Sequence, residues 1–131
     1  MQMRLVVEAA DYDTAVRFYR DLLGATEELQ IHNGDEKVTI LDVGRATLEL
    51  SSPRQVDMID DVEVGRRVSP HLRVAFQVAD VEDLTRRLTS DGAAELVAHP
   101  TVTPWASLNA RLEAPGGLQV TIFQELKDSG S

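Results

Sequence analysis

The sequence predicts an α+β protein in which two tandem β-α-β-β-β modules form a curved mixed sheet around a cavity. A short apolar segment, an aspartate, a helical pattern and a glycine occur in this order in the first half of the chain and again in the second. A hairpin signal, Asn33-Gly34-Asp35, separates two β-like runs. A Pro-Gly-Gly turn at 115–117 joins the last two β-like runs.

Module 1 is expected at about residues 3–52. Its first segment, residues 4–9, is short, apolar and β-branched, which predicts a strand. Asp11 is suited to cap the helix that follows, because its carboxylate accepts hydrogen bonds from the free amides of a first helical turn. Gly24 is expected to end that helix. Three further strands are predicted, at residues 28–31, 37–42 and 46–51.

Residues 53–69 interrupt this pattern. Ser-Pro pairs open and close an acidic stretch with scattered apolar residues, which indicates a linker or lid with a short helical turn.

Module 2, at about residues 70–126, repeats the order of the first. Asp80 is the expected helix cap, Gly92 the expected stop, and further strands are predicted at 96–99, 107–113 and 118–125. A single domain typically contains about 100–200 residues, so residues 1–131 are expected to form one domain.

Charge and composition exclude several functions. The 131 residues include 13 Lys or Arg and 22 Asp or Glu, which gives a net charge of −9. An acidic chain lacks the basic footprint for nucleic acid or an anionic membrane. Its charge either keeps the protein soluble or favours a cationic ligand. The absence of cysteine excludes disulfides and thiolate chemistry. No apolar run approaches the ~20 residues of a membrane helix and the N-terminus has no signal-peptide pattern, so a cytoplasmic protein is expected.

Alternation along the predicted strands separates an apolar face from a partly polar one. The positions facing the helices are apolar, as a covered sheet face requires. The opposite face contains Arg4, Glu8, Arg73, Gln77 and Thr121. Because ligand pockets are concave and partly apolar with a few polar anchors, this second face is expected to line a cavity.

Four segments resemble the vicinal oxygen chelate superfamily, which includes glyoxalase I, the bleomycin-resistance proteins and the extradiol dioxygenases. They are Phe-Tyr-Arg-Asp-Leu-Leu-Gly at 18–24, Ala-Thr-Leu-Glu-Leu at 46–50, Ala-Phe-Gln-Val-Ala-Asp at 75–80, and Pro-Gly-Gly-Leu-Gln-Val-Thr-Ile-Phe-Gln at 115–124. The resemblance covers about residues 3–126 and implies paired β-α-β-β-β modules. It does not imply one reaction, because the superfamily is chemically diverse.

The resemblance places the family's metal ligands at Arg4, Glu49, Arg73 and Thr121. Arginine only donates hydrogen bonds and repels a cation, so only Glu49 is a good ligand and neither a metal nor another cofactor is expected. Glu49 is expected instead to pair with Arg4, Arg73 or both. Such a network either plugs the cavity as a structural salt bridge or leaves one guanidinium free for a carboxylate, phosphate or enolate oxygen of a ligand.

Further candidate ligand contacts lie in the second half of the chain. Trp105, the only tryptophan, either stacks on a planar ligand or packs in the core or a dimer interface. Gln77, Asn109, Arg111 and Phe123 point toward the cavity side by alternation.

Three functions are compatible with the sequence. The first is a metal-independent, homodimeric small-molecule-binding protein of the bleomycin-resistance type, which sequesters an antibiotic or a metabolite. The alternative is a lyase, isomerase or epimerase acting on a small oxygenated substrate, with Glu49 as base and Arg4 or Arg73 steadying an oxyanion. The third is a structural or regulatory domain whose cavity is filled by its own ion network.

Overall fold

A computed structural model describes residues 2, 4–47 and 49–126 and shows an α+β fold with two separate sheets. Its elements in chain order are α1 (Tyr12–Val16), continued by a π-helical segment (Arg17–Leu22), then β1 (Thr26–Asn33), β2 (Glu36–Asp42), α2 (Pro53–Glu63), β3 (Val74–Gln77), α3 (Val81–Thr89), β4 (Glu95–Val102), β5 (Ser107–Ala114) and β6 (Leu118–Glu125). Among the described residues, no helix is long and apolar enough to cross a membrane.

The larger sheet has four strands in the order β3-β6-β5-β4. Strand β3 runs parallel to β6, whereas β6, β5 and β4 are antiparallel neighbours. The predicted mixed sheet is therefore confirmed, and the second half of the chain shows the complete β-α-β-β-β order. Within the described ranges, strand β3 has a neighbour on one side only and lies at an edge of the sheet.

The hydrophobic core lies between one face of this sheet and the helices. Helix α3 contributes Val81, Leu84 and Leu88 at helical spacing, and these pack with Phe18 from the π-helical segment and with the apolar residues of β5 and β6. Full burial of each large apolar side chain stabilises the fold by about 1.5–3 kcal/mol. This packing confirms the predicted apolar face of the second module.

Both predicted aspartate caps are present. The Asp11 carboxylate accepts a hydrogen bond from the Thr14 amide at 3.2 Å, and the Asp80 carboxylate accepts one from the Asp83 amide at 3.0 Å. Each cap satisfies an amide that has no partner inside its helix, worth about 1 kcal/mol. The two helical regions are thus anchored where the sequence predicts.

Helix α2 occupies the segment for which a linker or lid with a short helical turn is expected. It is a full 11-residue helix, so the expected short turn is wrong. Ser52 caps it by accepting from the Gln55 amide at 3.3 Å, and Pro53 stands in its first turn. Proline there loses no helical hydrogen bond and its fixed φ suits the start of a helix. The Ser-Pro pair therefore begins a helix.

The first module contains fewer strands than expected. Strands β1 and β2 form a hairpin around Gly34, as predicted, but within the described residues neither 4–9 nor 46–51 contains strand structure. A strand persists only when a neighbour pairs with its backbone groups. Among the described residues, these two segments pair with no strand.

Candidate functional site

The sheet face turned away from α3 is polar and contains several of the predicted site residues. In the β5–β6 register Arg111 lies opposite Thr121, and Asn109 lies opposite Phe123, so their side chains share this face. Helix α2 packs over part of it against β5. Arg111, Thr121 and Asn109 are all buried. Polar side chains buried in this way need internal partners.

Arg111 is the centre of a buried ionic network. Its Nη1 donates to Asp60 Oδ1 at 2.9 Å and to Ser69 Oγ at 3.0 Å, and its Nη2 donates to Glu63 Oε1 at 2.9 Å. Arg111 and Asp60 are fully buried and Glu63 is nearly so. Within the described part of the chain, the Nε–H of Arg111 has no acceptor. The network attaches helix α2 to the middle of the sheet.

Asp60 also organises the chain after α2. Its carboxylate accepts from the Val68 amide at 2.8 Å, the Ser69 amide at 2.7 Å and the Ser69 hydroxyl at 2.5 Å. Burial opposes ionisation of Asp60, but the hydrogen bonds from Ser69, Val68 and Arg111 outweigh it and hold the pKa of Asp60 well below its usual range. Asp60 therefore remains an anion at neutral pH.

A second set of hydrogen bonds extends the network along β5. Asn109 Nδ2 donates to Glu63 Oε2 at 2.9 Å, and Ser107 Oγ donates to Asn109 Oδ1 at 2.6 Å. The Thr103 and Ser107 hydroxyls lie 2.8 Å apart. Both ends of the Asn109 amide are thus bonded to groups of this chain, and Asn109 acts here as part of the protein's interior.

Arg73 and Thr121 come together as the resemblance implies. The Arg73 guanidinium donates to the Thr121 hydroxyl. Arg73 is partly buried and, among the described residues, forms no ion pair with a carboxylate. Burial and then the positive charge of Arg111 lower the pKa of Arg73, while Glu63, Asp60 and Glu49 act in the opposite direction. Arg73 is thus a cation without a direct carboxylate partner in the described structure.

Arg4 and Glu49 are exposed, and no hydrogen bond or ion pair in the described structure joins either to Arg73. The buried network contains Arg111, Asp60 and Glu63 in place of the expected Glu49 pairing. Sequence reasoning placed Arg111 on this face but missed both acidic partners. The sequence does contain a signal for these partners. Asp60 and Glu63 are three residues apart and therefore share one face of the helix that begins at the Ser-Pro pair.

The four positions where the resemblance places metal ligands do not fit a divalent cation. The Arg73 guanidinium occupies an oxygen lone pair of Thr121, and a permanent cation there repels a second one. Glu49 is the only carboxylate of the four. In the part of the chain that the structure describes, no three His, Cys, Asp or Glu side chains are grouped so that they could hold a metal ion.

A cleft of about 570 Å³ lies at the carboxyl end of β3 and is lined by Gln77, Val78, Ala79, Gln124, Glu125 and Leu126. Its volume falls within the 300–1,000 Å³ of small-molecule sites. The Leu126 amide donates to the Ala106 carbonyl at 2.9 Å, which attaches the neighbouring loop to the cleft wall. Trp105 in this loop is 45% exposed, which does not agree with the alternative that it packs in the core.

Comparisons with known proteins agree with this architecture. A model of the Glyoxalase/Bleomycin resistance protein/Dioxygenase superfamily matches residues 4–122. The fold is similar to that of a glyoxalase family protein from Bacillus cereus, with 17% identity, 97% of each chain covered and a TM-score of 0.62. It is also similar to TnmS3, an antibiotic binding protein from Streptomyces, with 20% identity, 95% of this chain and 98% of that chain covered, and a TM-score of 0.54. No curated protein matches the sequence.

Proposed function

This chain belongs to the Glyoxalase/Bleomycin resistance protein/Dioxygenase superfamily, and on that basis we propose that it is a metal-independent small-molecule-binding protein that sequesters an antibiotic or a metabolite. The cleft beside β3 is the observation that carries the proposal, because it combines a suitable volume with a lining of both apolar and polar residues. The likeness to an antibiotic binding protein supports the choice of ligand.

The proposed ligand contacts follow strand β3. Gln77 lines the cleft, and Trp105 lies on the attached loop. Arg73 directly precedes β3 and donates to Thr121 of β6. Asn109 is buried in the polar sheet face and donates a hydrogen bond to Glu63. Arg4 and Glu49 complete the proposed set. The net charge of −9 supports a ligand that carries at least one positive group.

Metal independence is supported by the residues at the expected ligand positions, where Arg73 donates to Thr121. A ligand that binds only the folded protein raises its melting temperature. We therefore expect equimolar Zn²⁺, Ni²⁺ or Mn²⁺ to leave the melting temperature of the metal-free protein unchanged. A reproducible rise with any of the three ions would overturn this part of the proposal.

Binding is tested by titrating a panel of antibiotics and metabolites while Trp105 fluorescence is followed. Trp105 is the only tryptophan and lies next to Ala106, which is bonded to Leu126 of the cleft wall, so the emission comes from this loop alone. We expect a saturable change for at least one compound, with heat of binding in calorimetry for both the native protein and Trp105→Phe. If no compound of such a panel binds, the proposed function is wrong.

Mass spectrometry of the bound compound separates sequestration from catalysis. Recovery of the unchanged compound is expected. Formation of a product that is lost in Glu49→Gln, with folding unchanged, would favour the lyase, isomerase or epimerase alternative. Glu49 is exposed and has no hydrogen-bond partner among the described residues, so the structure offers no special activation of it as a base.

We further propose that the protein is a homodimer and acts in the cytoplasm. An isolated two-stranded hairpin is marginal in water, yet Leu29 and Ile31 of β1 are 46% and 51% exposed. A second copy that covers this hairpin would bury both. Sedimentation should give a dimer, and Ile31→Lys should weaken it more than the matched control Glu28→Lys. A wild-type monomer at high concentration would contradict the dimer.

A further inference from the structure

The wall of the cleft at the carboxyl end of β3 carries a negative charge. Among the described residues that line the cleft, Glu125 is the charged one, and it is exposed. None of the ion pairs in the described part of the chain involves Glu125. Its carboxylate is therefore accessible to a group that enters the cleft from solvent.

Gln77 lies beside Glu125 on the same face of the sheet. In the parallel pair of β3 and β6, Gln77 lies opposite Phe123, and Glu125 follows Phe123 by two residues. Side chains two residues apart on a strand share a face. Strand spacings of about 3.3 Å per residue and about 4.8 Å between strands place the Cα atoms of Gln77 and Glu125 about 8 Å apart. One ligand group can therefore contact both side chains.

The rest of the lining includes an apolar surface next to these two polar groups. Val78 and Leu126 are partly buried, and Ala79 is exposed between the end of β3 and the start of α3. Such a surface packs against hydrocarbon, whereas the polar groups beside it fix the orientation of a ligand. The cleft is thus suited to a polar group attached to an apolar body.

The surroundings of the cleft favour a cation over an anion. The N-terminus of a helix can attract an anion, and α3 begins just beyond Ala79. However, the Val81 amide already donates to Gln124 Oε1 at 3.0 Å, and the Asp83 amide donates to the Asp80 carboxylate at 3.0 Å. The first turn of α3 also carries two acidic side chains. These carboxylates repel an anion and attract a cation.

We propose that the cleft binds an organic cation with N–H donors, namely an amidinium, guanidinium or ammonium group of the small molecule. This inference rests on the proposed function and names the chemical group that the ligand must carry. The Glu125 carboxylate and the Gln77 side-chain carbonyl both accept hydrogen bonds, and the cationic group donates to both and balances Glu125. The apolar body next to the cation packs against Val78 and Leu126.

The test compares three probes of nearly equal shape and different charge: benzamidine, benzamide and benzoate. Each is titrated against the full chain at the same low ionic strength, because salt screens exposed charges. Two-dimensional ¹H–¹⁵N NMR of the backbone amides reads out the cleft. We expect benzamidine to shift the amide signals of Gln77, Ala79 and Glu125 in a saturable way. Benzamide should bind about fivefold more weakly, since an exposed charge pair contributes up to about 1 kcal/mol, and benzoate more weakly still.

Variants assign the binding to these side chains. Glu125→Gln should weaken benzamidine binding about fivefold, to the level of benzamide. Glu125→Asp should retain part of the affinity, because it keeps the charge on a shorter side chain. Gln77→Ala should weaken binding less than Glu125→Gln, since it removes a neutral acceptor. Glu28→Gln is the matched control, because it removes an exposed carboxylate from β1, outside the larger sheet, and should bind like wild type.

Three outcomes would overturn the inference. The first is the absence of saturable shifts at the cleft amides of the wild-type protein with millimolar benzamidine, which does not depend on any variant folding. The second is equal benzamidine binding by Glu125→Gln and Glu28→Gln, and the third is equal binding of benzamide and benzamidine by the wild-type protein.

The panel of antibiotics and metabolites separates this inference from the proposed function. If the panel compounds that bind carry no positive group, the cation site is wrong while the proposed function stands. If no panel compound binds but benzamidine does, the proposed function fails instead.

Discussion

Replacing Arg111 with methionine is expected to destabilise the protein strongly. The substitution keeps an unbranched side chain but removes the cation that lies 2.9 Å from both Asp60 Oδ1 and Glu63 Oε1. Breaking a buried ion pair from one side costs about 3–5 kcal/mol, because a buried charge loses its partner. Asp60 keeps its hydrogen bonds from Val68 and Ser69, so most of the cost falls on Glu63 and we expect about 3 kcal/mol.

The measurement is urea unfolding at pH 7, followed by Trp105 fluorescence and circular dichroism. At an unchanged m value the loss appears as a lower midpoint. Arg86→Met is the matched control, because it makes the same substitution in an exposed pair with Asp83 at 3.2 Å. Exposed pairs contribute only about 0–1 kcal/mol. Since domains are stable by about 5–15 kcal/mol, the two variants are readily distinguished.

The reasoning is refuted if Arg111→Met and Arg86→Met lose the same stability within about 0.5 kcal/mol, a difference that surface substitutions commonly show. A double variant gives a second check. Arg111→Met/Glu63→Leu should be more stable than Arg111→Met alone, because an ion pair replaced on both sides by apolar groups is often neutral. A double variant that is less stable than the single one would show that the cost does not come from the unpaired carboxylate.

Three further predictions concern single groups. The pKa of Asp60 is lower in the folded than in the unfolded chain, so the stabilisation by its carboxylate is complete above about pH 4 and is lost below it. As the pH is lowered, the free energy of unfolding should therefore fall less steeply in Asp60→Asn than in the wild-type protein. Burial raises the pKa of Tyr19 to about 12, so stability should be lost between about pH 10 and that value, and Tyr19→Phe should lack this part of the loss. Ala106 has a left-handed φ of 61°, and Ala106→Gly should raise stability by about 1 kcal/mol in urea unfolding; unchanged stability would contradict this strain.

The second module could be predicted well because its signals are local. The Asp80 cap, the spacing of Val81, Leu84 and Leu88, and the alternation along β6 each depend on residues a few positions apart. Alternation alone is also enough to place Thr121 and Arg111 on one face of the sheet. Such patterns reflect the geometry of a single helix or strand.

The remaining features depend on partners far away in the chain. Asp60 and Arg111 are separated by 51 positions, and no sequence pattern near either residue indicates that the two form an ion pair. Residues 4–9 have the composition of a strand but pair with no strand in the part of the chain that the structure describes. Only the resemblance places Glu49 in the network, and its exposed position depends on how the first module packs.

The hydrogen bonds between Thr103 and Glu63 run in one direction. The Ser107 hydroxyl gives its single hydrogen to Asn109, so the Thr103 hydroxyl must donate to Ser107, and Asn109 in turn donates to Glu63. Arg111 donates to Glu63 from the other side, so every hydrogen points toward this one carboxylate. A glutamine at position 63 would place its NH₂ group against a donor of either Asn109 or Arg111. Two donors would then face each other, and the conflict with Asn109 would be relieved only if every hydrogen bond from Asn109 back to Thr103 reversed its direction. A carboxylate accepts on both oxygens and therefore satisfies this position without that reversal.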